Sequence, residues 1–220
     1  MNSPIFIIGT GRCGSTMLHD TLAYHPELSW LTQIVNKYPH KPELNVLALR
    51  AMDIKSLFPI LRKKLRADEP YFFFERYFKG FSRPHRDLLA TDIRHSAAKK
   101  FKKSLNDATR DGADLIVKYT GWPRIGLLKA MYPDAKFIHI VRDGRAVVNS
   151  VLEAGYFDGW AGPASWARGE LTQEQEKIWR DSGESFIVLA AMGWVNRMNA
   201  FKEASTGLSE QEYLEIKYED

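Results

Sequence analysis

With a single cysteine, Cys13, in 220 residues, the chain has no internal disulfide framework to hold it. A hydrophobic core must do that, and a compact fold of this length buries roughly 70% of the surface its unfolded chain exposes. Long apolar runs are lacking as well. Charges interrupt every stretch that approaches the ~20 apolar residues of a membrane span. The run Ile5–Ile8 is too short, and lacks the basic flank, for a secretory signal. One soluble, cytoplasmic domain over residues 1–220, with no membrane partner, is the expectation. There are no internal repeats, low-complexity tracts or linkers, and no aromatic residues interleaved with lysines in the way that tracks a nucleic-acid strand. The formal net charge is only +4. Its basic runs, "LRKKLR" (61–66) and "KKFKK" (99–103), read as solvated helix faces, with acidic residues close by in "RADEP" (66–70). No nucleic-acid partner is expected, whereas the modest positive field suits a small anion.

What is present is a strand-turn-helix pattern, three times over. "PIFIIG" is an apolar run of the buried parallel type; a glycine loop follows, then "STMLHDTLAYHP", with apolar residues at Met17, Leu18, Leu22 and Ala23 and a stop at Pro26. A second strand runs from Leu115 to about Tyr119, then a Gly-Trp-Pro turn and a short helix closed by Pro133. A third, Lys136–Val141, leads into a helix starting near Asp143 or Gly144 and ending at Gly155. "YLEIKY" (213–218) reads as one more strand, and residues 184–205 as a long amphipathic helix. Alternation of this kind predicts an α/β fold, a three-layer parallel sheet with helices on both faces. Ligands then sit beyond the carboxyl ends of the strands, where the glycine loop, Lys118 and Arg142 all fall.

Two regions are less regular. Residues 30–112 have little pattern apart from the aromatic run "YFFFERYFKGF", read as core packing. Residues 153–183 read as a long loop with a short helix, a candidate lid, in which Trp160 and Trp166 are expected to anchor the loop.

The loop "GTGRCGST" satisfies two patterns. As G-x-G-x-x-G (Gly9, Gly11, Gly14) it is a dinucleotide fingerprint, but "WLTQIVNKY" (30–38) offers no acidic residue to hold a ribose. As G-x-x-x-x-G-K-[ST] it has Ser15 in place of the lysine, and no strand ends in a magnesium-holding aspartate. What survives is a cradle of backbone N–H groups at a helix N-terminus, with two hydroxyls and an arginine inside it, suited to a phosphate without a metal. A less charged transferred group, such as sulfuryl, makes the metal dispensable.

"GTGRCGST" after a strand, together with "FIHIVRDGRAVVNS", "YPDAKFIHIVRD" and "YLEIKYED", resembles the sulfotransferase family, and within it the tyrosylprotein and bacterial branch. That resemblance covers the first thirty residues and most of 114–220. It implies a donor, 3′-phosphoadenosine-5′-phosphosulfate (PAPS), an acceptor hydroxyl on a small molecule, glycan or peptide, and no metal. Gly11, Arg12, Cys13, Gly14, Ser15 and Thr16 are implied to hold the 5′-phosphosulfate, with Arg12 on the bridging oxygen. Arg142 and Ser150 are implied to hold the 3′-phosphate, and Lys118 to touch the transferring group.

Residue chemistry qualifies several of these roles. Asp143 reads as a helix N-cap, and Ser150 could instead bond back to its own helix. Cys13, with His19 rather than arginine six residues on, reads as a small loop residue and not a nucleophile. Lys118 is followed by Tyr-Thr where tyrosylprotein relatives have Asp-Pro. No general base is singled out: the positions matching the relatives' glutamate lie near Thr32 and Gln33, which cannot serve, and Glu75, His85 and His95 remain candidates. Since relatives usually continue beyond "YED", the resemblance also implies a shortened form. The alternatives in function are a non-catalytic nucleotide-binding module and a kinase-like phosphotransferase.

Overall fold

The computed structural model describes residues 3–82, 85–163 and 169–219. Among them, five short segments pair side by side, all parallel: β1 (Ile5–Ile8), β2 (Leu28–Trp30), β3 (Asp114–Lys118), β4 (Lys136–Val141) and β5 (Tyr213–Lys217). Their order is β2-β3-β1-β4-β5, with Ile5 opposite both Ile116 and Lys136. The helices are α1 (Ser15–Ala23), α2 (Ile34–Lys37), α3 (Glu43–Met52), α4 (Phe58–Lys64), α5 (Tyr71–Glu75), α6 (His95–Asp107), α7 (Ile125–Met131), α8 (Gly144–Leu152), α9 (Gln173–Asp181) and α10 (Phe186–Ser205). None of the described helices is long and apolar enough to cross a membrane.

The two-residue period of a strand explains why β1 is apolar throughout. Phe6 and Ile8 enter a core with Leu115, Val117, Phe101, Leu127 and Phe201. Ile7 enters the opposite one with Ile116, Ile140, Trp30, Leu49 and Met52. Both faces are therefore covered by helices, as the strand-helix alternation predicts. The aromatic run also lies in the core: Phe73, Phe74, Phe78 and Phe81 are buried around Phe101, with Phe74 and Phe101 rings 4.8 Å apart.

Several expectations change. Met17 is 63% exposed, and the buried face of α1 is Ser15, His19 and Ala23, because the helix leaves the loop with Met17 turned toward the crevice that Thr16 also lines. Trp160 is 71% exposed, so it does not anchor its loop; Trp166 lies outside the described residues. Residues 30–112 contain the last residue of β2 and all of α2 to α6. β2 has three residues, too few to display an alternation, and α6 shows only Phe101 and Leu105 buried among its lysines.

Chain direction sets the position of the site. From β1 the chain passes through α1 to β2 on one flank; from β4 it passes through α8 to β5 on the other. Connections from adjacent β1 and β4 thus diverge, leaving a crevice at their carboxyl ends.

Candidate active site

The loop after β1 is bent by three left-handed residues, Gly11 (φ 87), Arg12 (φ 57) and Gly14 (φ 91). A side chain at Gly14 is excluded twice: the conformation disfavours it, and a Cβ there would lie 2.3 Å from the Tyr218 ring. At Gly9 a Cβ would meet Cys13 Sγ at 2.5 Å. Cys13 is fully buried in the core under the loop, so only its backbone is available to a ligand. Among the described residues, the N–H groups of 11–16 donate to no other group. Six amide donors at the start of α1 thus stand ready for an anion, beside the positive helix end.

Side chains from three strand ends close on this loop. Arg142, just past β4, donates from Nη1 to the carbonyl of Arg12 at 3.1 Å and stacks over Tyr218, its guanidinium carbon 4.5 Å from the ring centre. Arg12 donates from Nε to Ser150 Oγ of α8 at 2.8 Å. Lys118, at the end of β3 and only 5% exposed, donates to Thr16 Oγ1 at 2.9 Å. Gly11, Arg12, Gly14, Ser15, Thr16, Lys118, Arg142 and Ser150 therefore line one cavity of about 440 Å³. Asp143 caps α8, accepting from the Arg145 amide at 2.8 Å.

A second cavity, of about 480 Å³, shares Gly11, Glu69, Thr120 and Tyr156 with the first. Buried Trp122, Arg124 and Arg197 also line it. Arg124 is held by the carbonyls of Thr120, Trp122 and Phe81 and packs over the Phe81 ring. Asp87 accepts from the Arg124 amide at 2.7 Å; burial pushes its carboxyl up to about 6, against the pull of those bonds and of the nearby guanidinium.

Glu69 stands at the junction of the two cavities. Its Oε1 lies 3.4 Å from Lys118 Nζ and accepts from Thr120 Oγ1 at 3.0 Å. Sequence reading passed over it as one acid of "RADEP". Its place follows from tertiary pairing: Thr32 bridges Ala67, the amide of Asp68 donates to the carbonyl of Leu31, and Asn36 donates to the carbonyl of Glu69. The segment 66–69 is thereby laid beside Thr32, close to where the resemblance expects a glutamate. The usable signal was that the carboxylate lies directly before Pro70, in a segment that proline biases toward extended backbone.

The earlier candidates lie elsewhere. Glu75 accepts from the amides of Gly80 and Ser82 and from the Ser82 hydroxyl. Burial works against its charge, but those bonds outweigh it and hold the carboxyl below its ordinary range. His85 and His95 are exposed, and neither lines either cavity.

The model of the "Sulfotransferase family" matches residues 4–220. The chain belongs to the sulfotransferase family. Bacterial sulfotransferases are among the solved structures that share its fold. Sulfotransferase STF1 from Mycobacterium tuberculosis is 17% identical, with a TM-score of 0.56, over 100% of this chain and 63% of that one. The sulfotransferase domain from the curacin biosynthetic pathway is 13% identical, with a TM-score of 0.53, over 100% of this chain and 68% of its own. Sulfotransferase STF9 from Mycobacterium avium is 15% identical, with a TM-score of 0.57, over 98% and 58%. This sulfotransferase-family chain thus spans a little under two thirds of the length of STF1. No curated protein sequence matches it.

Proposed function

We propose that this protein transfers a sulfuryl group from PAPS to an acceptor hydroxyl. The observation that supports the reading is the convergence of Arg12, Lys118, Arg142 and Ser150, from separate strand ends and α8, on a loop whose amides have no partner among the described residues. Loop amides and Arg12 bind the phosphosulfate end, Arg142 and Ser150 the 3′-phosphate. Arg12 leaves Ser150 for the ligand when it binds, exchanging a neutral hydroxyl acceptor for an anionic one. The second cavity, within the usual range for small-molecule sites, takes the acceptor. Its hydroxyl oxygen attacks sulfur as the bond from sulfur to the 5′-phosphate oxygen breaks. Glu69 takes the released proton, and Lys118 stabilises charge on the transferring group. Adenosine 3′,5′-bisphosphate leaves.

The test is calorimetric titration with adenosine 3′,5′-bisphosphate, NAD and ATP, the last with and without magnesium, followed by turnover of PAPS against a panel of alcohols, phenols and sugars. Binding of the bisphosphate in preference to the other two, and sulfated product formed without added metal, are expected. Preference for ATP with magnesium would make the protein a phosphotransferase. Tight bisphosphate binding without product from any acceptor would leave a nucleotide-binding module.

A further inference from the structure

The carboxylate proposed to accept the proton is not held by its own segment alone. Tyr71, two residues on at the start of α5, reaches Thr120 just past β3. The Thr120 amide donates to the Tyr71 oxygen at 3.2 Å. The Tyr71 hydroxyl lies 2.9 Å from Thr120 Oγ1 and 3.1 Å from the Thr120 carbonyl. Thr120 Oγ1 in turn donates to Glu69 Oε1 at 3.0 Å. A threonine hydroxyl has one proton to give. Since it goes to Glu69, the Tyr71 proton must point back at Thr120, on either oxygen. Burial first, and the Glu69 charge second, raise the Tyr71 phenol above its ordinary range, so it remains a donor.

We infer that Thr120 and Tyr71 are positioning residues, which hold Glu69 by a one-way chain of hydrogen bonds from the end of β3. This rests on the transfer reading above. The bonds fall on Oε1, where Lys118 also approaches, while Oε2 has no hydrogen-bond partner among the described residues and is left for the acceptor hydroxyl. The arrangement belongs to this chain's own sequence: tyrosylprotein relatives resemble it with Asp-Pro after the lysine, and a proline at 120 would supply neither the amide N–H nor the hydroxyl.

The experiment compares Thr120→Val, Thr120→Ser, Tyr71→Phe and Glu69→Gln with the parent, alone and with Thr120→Val combined with Glu69→Gln, using PAPS and the best acceptor of the panel. Calorimetry with adenosine 3′,5′-bisphosphate reports folding and donor binding independently. Thr120→Val is expected to lower kcat about tenfold, the scale of one hydrogen bond to a charged group, and Tyr71→Phe about threefold. Because Thr120 lines both cavities, Thr120→Ser is the control for binding: it should restore kcat, and Thr120→Val should cost nothing further once Glu69 is Gln. Parental kcat in Thr120→Val beside an inactive Glu69→Gln overturns the positioning roles alone, as does full multiplicativity of the pair. Parental kcat in Glu69→Gln overturns the base assignment, and this inference with it.

Discussion

Arg12 occupies a left-handed conformation, φ 57, that a non-glycine residue holds only when its surroundings compel it. Here the compulsion comes from both sides: Arg142 grips its carbonyl and Ser150 receives its Nε. Because the guanidinium is exposed and contributes little to the core, Arg12→Ala should leave the circular dichroism spectrum and melting temperature close to the parent's. Turnover of PAPS should fall by about a hundredfold or more, the usual consequence of removing one preorganised donor from a developing charge. Undiminished turnover would take the arginine out of the chemistry. At this scale the site was legible wherever a residue is tied to a local pattern. "GTGRCGST" identifies a loop because backbone turn and helix start follow directly from its glycines, and Asp143 identifies a cap because its partner is two residues away. Glu69 was not legible, because what puts it beside Lys118 is a bridge between residues 32 and 67. No spacing within either segment records that pairing.

At the scale of elements, strands flanked by strong turn residues were readable and the three-residue β2 was not. Its position depends on a residue outside itself. Asn45, fully buried in α3, accepts from the Thr32 amide at 2.9 Å and donates to the carbonyls of Trp30 and Ala108. One side-chain amide thus ties the end of β2 to the turn after α6, and β2 in turn leads into the segment paired with residues 66–68. Removing it strands three buried backbone groups, each costing about 1–3 kcal/mol if left unpaired, less what water recovers. Asn45→Ala is expected to lower stability by about 3 kcal/mol in urea denaturation, and to reduce turnover through Glu69 beyond what the lost folded fraction explains. A variant as stable as the parent would show that β2 is held by its ladder alone. Helix α6 was legible only by its solvated side: "KKFKK" (99–103) lies within it as the helix face it reads as, while its lysines mask a buried face of two large side chains.

For the molecule as a whole, two buried imidazoles govern the response to acid. His19, within α1, and His139, in β4 with its ring stacked 4.1 Å from Phe201, are 1% and 0% exposed. Burial lowers them to about 3 and about 4 respectively, with the nearby Lys118 charge adding to the effect at His19. Glu215 at 3.4 Å would favour a charged His139, but it is half-exposed and its field is screened by solvent, so the neutral ring prevails. Both histidines bind protons more weakly folded than unfolded. Their contribution is present above pH 6.5 and is lost as pH falls toward 4 and 3. Asp87, raised to about 6, works in the opposite sense, since its burial is relieved as pH falls below 6. Two groups outweigh one, and the net loss between pH 7 and pH 5 is on the order of 2 kcal/mol. A urea midpoint that fails to drop over that interval would mean that the rings are not held neutral.

The aromatic ring behind Arg142 has a further bearing on this molecule. Tyr218 directly follows β5, the outermost of the described strands, which pairs only with β4 among the described residues and leaves most of its side chains in solvent. Rims of sheets fray at lower free energy than interiors. A mild loosening there withdraws the backing of a guanidinium long before Phe6 or Phe101 is disturbed, so the shape of the crevice is what this architecture surrenders first under stress, and compactness the last.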